Sequence, residues 1–519
     1  MNFFDKPVRT KKIDYLKYIE VNKMFLNKNV KAIIAFLEKL PPHEKLQELS
    51  KVMLFKGRYR ILKKALSRVQ FYIILDLVNY SRILFPDPLP VKELLDIFSV
   101  EPGYGSLTGH LEIGDVIKEL EIDRAYACAN QYHLPVGNIR HVVQKTVVVT
   151  SFGATGAIYT LLMALLTRER ATGRNRSCLV FNAPTYCLSD AFARLNGLTP
   201  LPVFGTRENG FFPPLAQVRE ACSHPSVFAC ILTYPNNPAQ TSLGKNDLPE
   251  LLRLVEYCQS NKIQLIADTV FQDLRWLSAP PVPELFALSD SSKYLSKIFS
   301  PSKDRPFASG YRIGYLMADK RLRPWLERVV SSTSTSPNTL SQIWLAIDAV
   351  FRRAMMKGEL TPELFLPLKG RSIFGFGIKP LEVNEMYQRI CDADLYTRYV
   401  HNLRFFNKTL EQNIGKVWDW LSTNEYFEVD KRPAYGNTLM VRVPKKAQFQ
   451  NEFEYYFYAL LTTGVIASTG GCFGMPNDGD IYFRVVMASY PPELVITTLD
   501  YVKGALINQK APGYPLFKE

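Results

Sequence analysis

Lys303 is the residue of this sequence with the best surroundings for covalent chemistry. In "SPSKDRPFASGYRIGY" (residues 300–315), serines stand three and one positions before it and an arginine follows nine positions after it. A lysine amine can form an imine with a carbonyl compound, but most lysines are only solvated. Lys297, in "YLSKIF", is a rival on an apolar strand-like run, but it lacks a serine three positions before it. The spacing favours Lys303.

Three other groups follow apolar, strand-like runs. "KTVVVTS" leads into "GATGA", where Gly153, Ala154 and Thr155 open a helical pattern. The exposed N–H groups and the dipole of such a helix start can hold a phosphate. Asn237 follows "CILTYP", and Asp268 ends "QLIAD". Each could be only a turn or strand cap, but a carboxylate ending an apolar run needs a cation or hydrogen bonds.

Taken together, these groups match one cofactor. Asp268 could keep a pyridinium nitrogen charged, and Asn237 could bind the ring hydroxyl. The glycine turn, with Ser300 and Arg312, could hold a phosphate, and Lys303 could close a Schiff base. These are the groups that pyridoxal phosphate requires when it acts as an electron sink.

The elements that would position these groups alternate between strand-like and helical patterns from about 145 to 320. This alternation predicts an α/β fold with a doubly wound, mostly parallel sheet. Ligands of such sheets bind at the carboxyl ends of the strands, where the candidate groups are found.

From about residue 74 to 510 the chain resembles the fold-type I pyridoxal-phosphate enzymes, that is, class I/II aminotransferases and relatives such as aminocyclopropane-carboxylate synthase. Seven blocks follow in family order: "YGSLTGHLEI", "GATGA", "APTY", "YPNNP", "IAD", "SPSK…GYRIGY", and "GVIASTGGCFG" with "IYFRVVMA". The resemblance implies a Lys303 Schiff base and an aminotransferase acting on an α-amino acid. It further implies a homodimer in which Tyr104 reaches the neighbouring subunit's phosphate. It assigns cofactor binding to Tyr104, Gly153, Ala154, Thr155, Tyr186, Asn237, Asp268, Phe271, Ser300, Ser302 and Arg312, and substrate binding to Arg484, Asn237 and Asn79.

The chain departs from the family pattern at several places. Phe271 stands where the family usually has a tyrosine, and Ala239-Gln240 stands where a glycine is expected. One extra residue separates Lys303 from Arg312. These departures leave open a non-transaminating pyridoxal-phosphate enzyme, namely a lyase, decarboxylase or cyclase, because one fold hosts many reactions.

The resemblance also divides the chain. It implies a large cofactor-binding domain at 105–325, and a smaller α+β domain made of 71–104 and 326–519 with an insertion at about 351–395. A helical extension at 1–70 has no counterpart in the core family.

Charge and composition limit the other classes. The net charge is +14, and residues 1–70 hold 17 basic against 6 acidic residues. We interpret this segment as an accessory helical cap with a solvated basic face. The alternative is a nucleic-acid-binding arm on a regulator, but no nucleic-acid partner is expected. We expect no membrane span and no signal peptide. Eight cysteines without a C-x-x-C pair suit a cytoplasmic protein and predict no metal site.

Overall fold

A computed structural model describes most of the chain after residue 84. The described residues are 73–74, 85–98, 107–109, 111–186, 188–276, 279–306, 308–334, 339–368, 382–443, 465–475, 480–488 and 490–507. The predicted helical extension at 1–70, Asn79 and Tyr104 lie outside these residues. Strands and helices are numbered below over the described part only.

The described strands contribute to three sheets. In chain order they are β1 (Ile73–Ile74), β2 (Thr146–Ser151), β3 (Cys178–Ala183), β4 (Thr199–Phe204), β5 (Val227–Thr233), β6 (Gln264–Asp268), β7 (Leu295–Phe299), β8 (Gly314–Asp319), β9 (Glu428–Val429), β10 (Thr438–Val443), β11 (Val465–Ile466) and β12 (Ile481–Val486).

The largest sheet has seven strands in the order β2-β8-β7-β6-β5-β3-β4. Strand β8 runs antiparallel to both β2 and β7, and the other neighbours are parallel. Every residue of β2, β3, β5, β6, β7 and β8 is buried, which explains their nearly continuous apolar sequences. Val147 and Val149 face one core cluster and Val148 faces another, so both faces of the sheet are covered. The prediction of a doubly wound, mostly parallel sheet is confirmed.

Helices cover the sheet on both sides. In chain order they are α1 (Val91–Phe98), α2 (Leu111–Tyr132), α3 (Ile139–Gln144), α4 (Gly153–Ala171), α5 (Leu188–Leu195), α6 (Leu215–Ala221), α7 (Leu248–Ser260), α8 (Ala308–Tyr311), α9 (Arg323–Thr333), α10 (Thr339–Lys357), α11 (Val383–Asp392), α12 (Leu395–Ser422) and α13 (Pro492–Ile507). Helices α4 and α9 share the apolar core of one face, and α2, α7 and α10 share that of the other.

A smaller antiparallel sheet, β12-β10-β9, lies in the C-terminal part of the chain. Apolar residues of α12, α13, β10 and β12 share one core cluster, as an α+β arrangement requires. The register of β10 and β12 pairs Met440 with Arg484. The strand that carries the predicted substrate arginine is therefore held in place by β10.

Three predictions about the organisation of the chain can be compared with these elements. The predicted insertion at 351–395 begins inside α10 and includes α11, and its residues 369–381 lie outside the described part. The two-domain boundaries stay a prediction. No helix among the described residues is long and apolar enough to cross a membrane.

Candidate active site

The turn that carries Lys303 directly follows β7. The Ser300 hydroxyl donates a hydrogen bond to the carbonyl of Ile313 at 2.8 Å and accepts one from the backbone N–H of Ser302 at 3.3 Å. The two serine hydroxyls are 3.0 Å apart. Ser300 is fully buried, whereas Lys303 is half-buried. These bonds fix the backbone before Lys303 and leave its side chain at the end of the strand.

Lys297, the rival lysine, is 1% exposed and serves as a structural charge. Its Nζ lies 2.5 Å from Glu121 Oε2 and 2.6 Å from Glu284 Oε1. Burial favours the neutral acid of Glu121, but the charges of Lys297 and Arg124 hold the pKa of Glu121 below its ordinary value. An amine whose hydrogen bonds are taken up by two buried carboxylates is not free to attack a carbonyl compound.

Asp268, the last residue of β6, is 6% exposed. Burial raises its pKa to about 7, against the opposing effects of the Val270 N–H and of the Lys303 charge. The Val270 N–H donates to Asp268 Oδ1 at 3.4 Å, which is a long bond. Lys303 and Asp268 thus lie close enough to influence each other, and the carboxylate would gain stability from a nearby cation.

The glycine turn and Arg312 meet at the start of α4. Gly153 has φ +72°, and a Cβ placed there would lie 3.4 Å from Arg312 Nη2. Gly314 fits tightly, since its Cβ would lie 2.8 Å from the Gly153 carbonyl carbon. Ala154 and Thr155 complete the first turn, with Thr155 exposed. The arginine and the helix start direct positive potential to one point, as an anion such as phosphate requires.

Arg484, on β12 of the smaller sheet, contacts Asn237, which follows β5 of the seven-stranded sheet. Its Nη1 donates to Asn237 Oδ1 at 2.7 Å, and its guanidinium carbon lies 4.6 Å from the centre of the Phe473 ring. Both Arg484 and Asn237 are buried, at 7% and 5% exposure. Phe473 was not predicted from the sequence, although it lies inside the "GGCFG" block that carries the resemblance.

Tyr186 lies two residues beyond the cis peptide Ala183–Pro184, just after β3. Its side chain is 42% exposed, so that the residue is partly accessible. The N–H of neighbouring Thr185 donates to the carbonyl of Phe473 at 2.9 Å. The Tyr186 segment therefore touches the segment that packs against Arg484.

The topology explains why these groups meet. Strands β3, β5, β6 and β7 are parallel, so their carboxyl ends lie on the same side of the sheet. The residues found at or just after these ends are Tyr186, Asn237, Asp268 and Lys303. Strand β2 also ends on this side, where antiparallel β8 begins, which brings Gly153 and Arg312 there.

Comparison with known proteins agrees with this arrangement. Residues 122–350 match the family model described as "Aminotransferase class I and II". This part of the chain, which is somewhat less than half of its length, is similar to the class I and II aminotransferases. Its curated relatives include an aspartate aminotransferase of Bacillus subtilis, 24% identical over 205 residues, which are 40% of this chain and 49% of that protein. An LL-diaminopimelate aminotransferase of Parabacteroides distasonis is 30% identical over 118 residues, which are 22% of this chain and 26% of that protein.

The chain thus spans about half or less of the length of these curated aminotransferases. Solved structures extend the likeness of fold. An aromatic aminotransferase from Pyrococcus horikoshii has a TM-score of 0.61 at 17% identity, covering 86% of this chain and 99% of that one. An aspartate aminotransferase from Thermotoga maritima has a TM-score of 0.60 at 17% identity, covering 90% and 99%. The family's fold is therefore shared well beyond residues 122–350.

Phe271 departs from the family pattern, and Arg305 is a buried residue of the site that was not predicted from the sequence. Phe271, where the family usually has a tyrosine, is 4% exposed and belongs to the main apolar core cluster. Arg305, two residues after Lys303, is fully buried, and its Nε donates to Asp348 at 2.9 Å and to the Tyr399 hydroxyl at 3.2 Å. The Arg305 contacts were not predicted from the sequence, because their partners are 43 and 94 residues away.

Proposed function

We propose that this chain is a pyridoxal-phosphate-dependent aminotransferase acting on an α-amino acid, with Lys303 as the residue that binds the cofactor covalently. The observation that carries the proposal is the difference between the surroundings of Lys297, within β7, and those of Lys303, just after it. Lys297 is held by two buried carboxylates, whereas Lys303 lies at the carboxyl ends of the parallel strands, near Asp268. The curated relatives and structural neighbours, which are named aminotransferases, support the same activity.

The residues at these carboxyl ends fit the cofactor. The buried Asp268 carboxylate, with a pKa near 7, would be stabilised by a protonated pyridine nitrogen. The Thr185 hydroxyl is buried without a hydrogen-bond partner among the described residues, next to the partly accessible Tyr186. Gly153 and Arg312, which lie next to each other at the start of α4, would bind the phosphate. These observations support a planar, cationic ring with an attached phosphate.

Bound pyridoxal phosphate supplies an electron sink for the charge that develops at the substrate Cα. The chain's own residues would do the rest. Asp268 would hold the proton on the ring nitrogen, and the Arg484 guanidinium would bind the substrate α-carboxylate with its planar pair of donors. Lys303, once displaced by the substrate, would carry the proton away from Cα.

A non-transaminating reaction is the second candidate, and Phe271 and Gln240 are the departures that favour it. The two candidates differ in one measurement. An aminotransferase loaded with an amino acid is returned to its starting state by a keto acid such as 2-oxoglutarate or pyruvate. A lyase, decarboxylase or cyclase needs no keto acid to turn over.

We further propose a cytoplasmic homodimer with a small-molecule amino-acid substrate. Dimerisation is proposed because the family resemblance assigns Tyr104 to the neighbouring subunit's phosphate. Light scattering of the cofactor-loaded protein tests this, and a monomer of full activity would contradict it.

Substitution of Lys303 tests the cofactor assignment directly. The wild-type protein should be yellow, and borohydride should join the cofactor irreversibly to the peptide that contains Lys303. Lys303→Ala should abolish this attachment, whereas Lys293→Ala, at an exposed position just before the same strand, should not change it. Cofactor attached to Lys297 in the Lys303→Ala protein would overturn the assignment.

A further inference from the structure

Gln240 occupies a backbone conformation that suits glycine. It lies in the turn after Asn237, at the position where the sequence pattern leads one to expect a glycine, and it has φ +61°. A side chain in this left-handed region is disfavoured, because Cβ comes close to the backbone. The residue is also 1% exposed. Such strain persists when the side chain makes contacts that a glycine could not make.

The Gln240 side chain reaches from this turn to the smaller sheet. Its Nε2 donates to the Thr438 hydroxyl at 2.8 Å, and the Thr438 hydroxyl donates to the carbonyl of Pro238 at 2.8 Å. Thr438 is the first residue of β10. We call this connection of Pro238, Gln240 and Thr438 the β10 clip.

The Gln240 side chain packs against Gly436, where any side chain would collide with it. Gly436 has φ +70°, and a Cβ placed there would lie 1.6 Å from Gln240 Oε1. The Gly436 N–H donates to the carbonyl of Leu274 at 2.9 Å, and its own carbonyl accepts from Trp276 Nε1 at 2.6 Å. The segment before β10 is therefore fixed to the chain that follows Asp268, and Gln240 fills the space left by the missing side chain.

The clip closes a ring that passes through the candidate substrate site. From Thr438 the ring follows β10 to Met440, which is paired with Arg484 on β12. Arg484 Nη1 donates to Asn237 Oδ1, and Asn237 precedes Pro238. The distance between Arg484 and Asn237 is thus set from both sides, by the strand pairing and by the clip.

We propose that Gln240 is a positioning residue that, through Thr438, holds Asn237 and Arg484 at the separation needed to bind a substrate carboxylate. The inference rests on the proposed function, since it assumes that Arg484 binds this carboxylate. It goes further by assigning a role to a residue that departs from the family pattern.

Three variants separate this role from general stability. Thr438→Val keeps the shape of the side chain but removes the hydroxyl, and Thr438→Ser keeps the hydroxyl as the matched control. Gln240→Gly removes the side chain while relieving the left-handed backbone, so that folding is retained. Each holoenzyme is titrated spectrally with L-aspartate, L-alanine and L-phenylalanine. The amines that lack the α-carboxylate, namely β-alanine, ethylamine and 2-phenylethylamine, serve as paired ligands.

We expect Thr438→Val and Gln240→Gly to weaken amino-acid binding by about tenfold, the scale of one lost hydrogen bond. Binding of the paired amines and the borohydride-stable attachment to Lys303 should stay within about twofold of wild type. Thr438→Ser should behave as wild type. Equal weakening of amino acids and amines, or unchanged amino-acid binding in both variants, would overturn the inference.

Hydrogen exchange on the cofactor-free proteins gives a second readout that does not depend on the reaction. The Thr241 N–H donates to Asn236 Oδ1 at 2.9 Å and reports on the turn, and the Leu265 N–H in β6 is the internal control. Thr438→Val should speed exchange of Thr241 by about tenfold relative to Leu265. Unchanged exchange would overturn the clip. A wild-type protein that binds no cofactor would instead overturn the proposed function, with the exchange result still deciding whether the clip orders the turn.

Discussion

Lys297 and Lys303 are six residues apart, yet they belong to two electrostatically different regions. Lys297 is a residue of β7, and its partner Glu121 is joined through Arg124 to Asp273, with Nη1–Oε1 and Nη2–Oδ2 distances of 2.5 and 2.6 Å. Lys303 lies at the carboxyl ends of the parallel strands, where burial raises the pKa of the Asp268 carboxyl. In the first region Lys297 lies within 2.6 Å of both of its carboxylates, although burial still raises the pKa of Glu284 to about 7. In the second, the Asp268 carboxylate accepts a long bond of 3.4 Å from the Val270 N–H, and a bound cation would stabilise its charge.

The different surroundings of Lys297 and Asp268 distinguish a charge that stabilises the fold from one that is available for chemistry. Buried ion pairs are tolerated when each charge has a close partner and its hydrogen bonds are made. A buried titratable group whose pKa is displaced by desolvation, at an edge where ligands bind, is a candidate for chemistry. Lys297 satisfies the first description and Asp268 the second, although both lie in the same sheet.

The largest effect that would test this contrast is on stability. Lys297→Met should lower the free energy of unfolding by about 3–5 kcal/mol, because it leaves Glu284 and Glu121 buried without their shared cation. Urea denaturation of the variant, beside Lys293→Met as an exposed control, measures the loss. A loss below about 1 kcal/mol would mean that the network does not need Lys297.

An effect of comparable size and opposite sign is expected at Asp268 in the cofactor-free protein. Its folded-state pKa is raised to about 7, so the folded state binds more protons than the unfolded state between about pH 4 and pH 7. Wild-type stability should therefore fall as pH rises through this window. Asp268→Asn should reduce the fall, to which Glu284 and Asp304 with their raised pKa values also contribute. At about 1.4 kcal/mol per pKa unit, it should stabilise the cofactor-free protein at pH 8 by up to roughly 4 kcal/mol.

The same variant should lose activity while it gains stability. The neutral amide introduced by Asp268→Asn cannot stabilise a protonated ring nitrogen, so cofactor-dependent turnover should fall by on the order of 10²-fold or more. Thermal unfolding of the cofactor-free proteins against pH, with turnover of the loaded ones, tests both halves. Lower stability at pH 8 together with normal turnover in this variant would identify Asp268 as a strand cap.

The site at the carboxyl ends of the strands could be predicted from the sequence because its signals are local. The runs "VVVTS", "CILTYP" and "QLIAD" are buried strands, as expected, and Asn237 and Asp268 follow from where the runs end. Strand β4 carries no such signal, because its residues are exposed or half-buried at the edge of the sheet and include two prolines.

The paired region could not be predicted, because its partners are distant in sequence. Lys297 contacts Glu121 across 176 residues, and no local pattern marks Glu121 within α2. Arg305 likewise finds Asp348 on α10 and Tyr399 on α12. Gln240 could be recognised as a departure, but its role depends on Gly436 and Thr438, almost 200 residues further on.

The smallest expected effect concerns Phe271, which follows Asp268 by three residues and packs in the apolar core. A tyrosine hydroxyl there would donate to the oxygen of the cofactor ring, stabilise its deprotonated form, and lower the pKa of the nitrogen that joins Lys303 to the cofactor. Phe271→Tyr should lower this pKa by on the order of one unit, measured by absorbance against pH, with Phe286→Tyr, in the same core, as control. An unchanged or higher pKa would place the Phe271 ring with the apolar core rather than with the cofactor. The departure from the family pattern would then carry no consequence for the reaction.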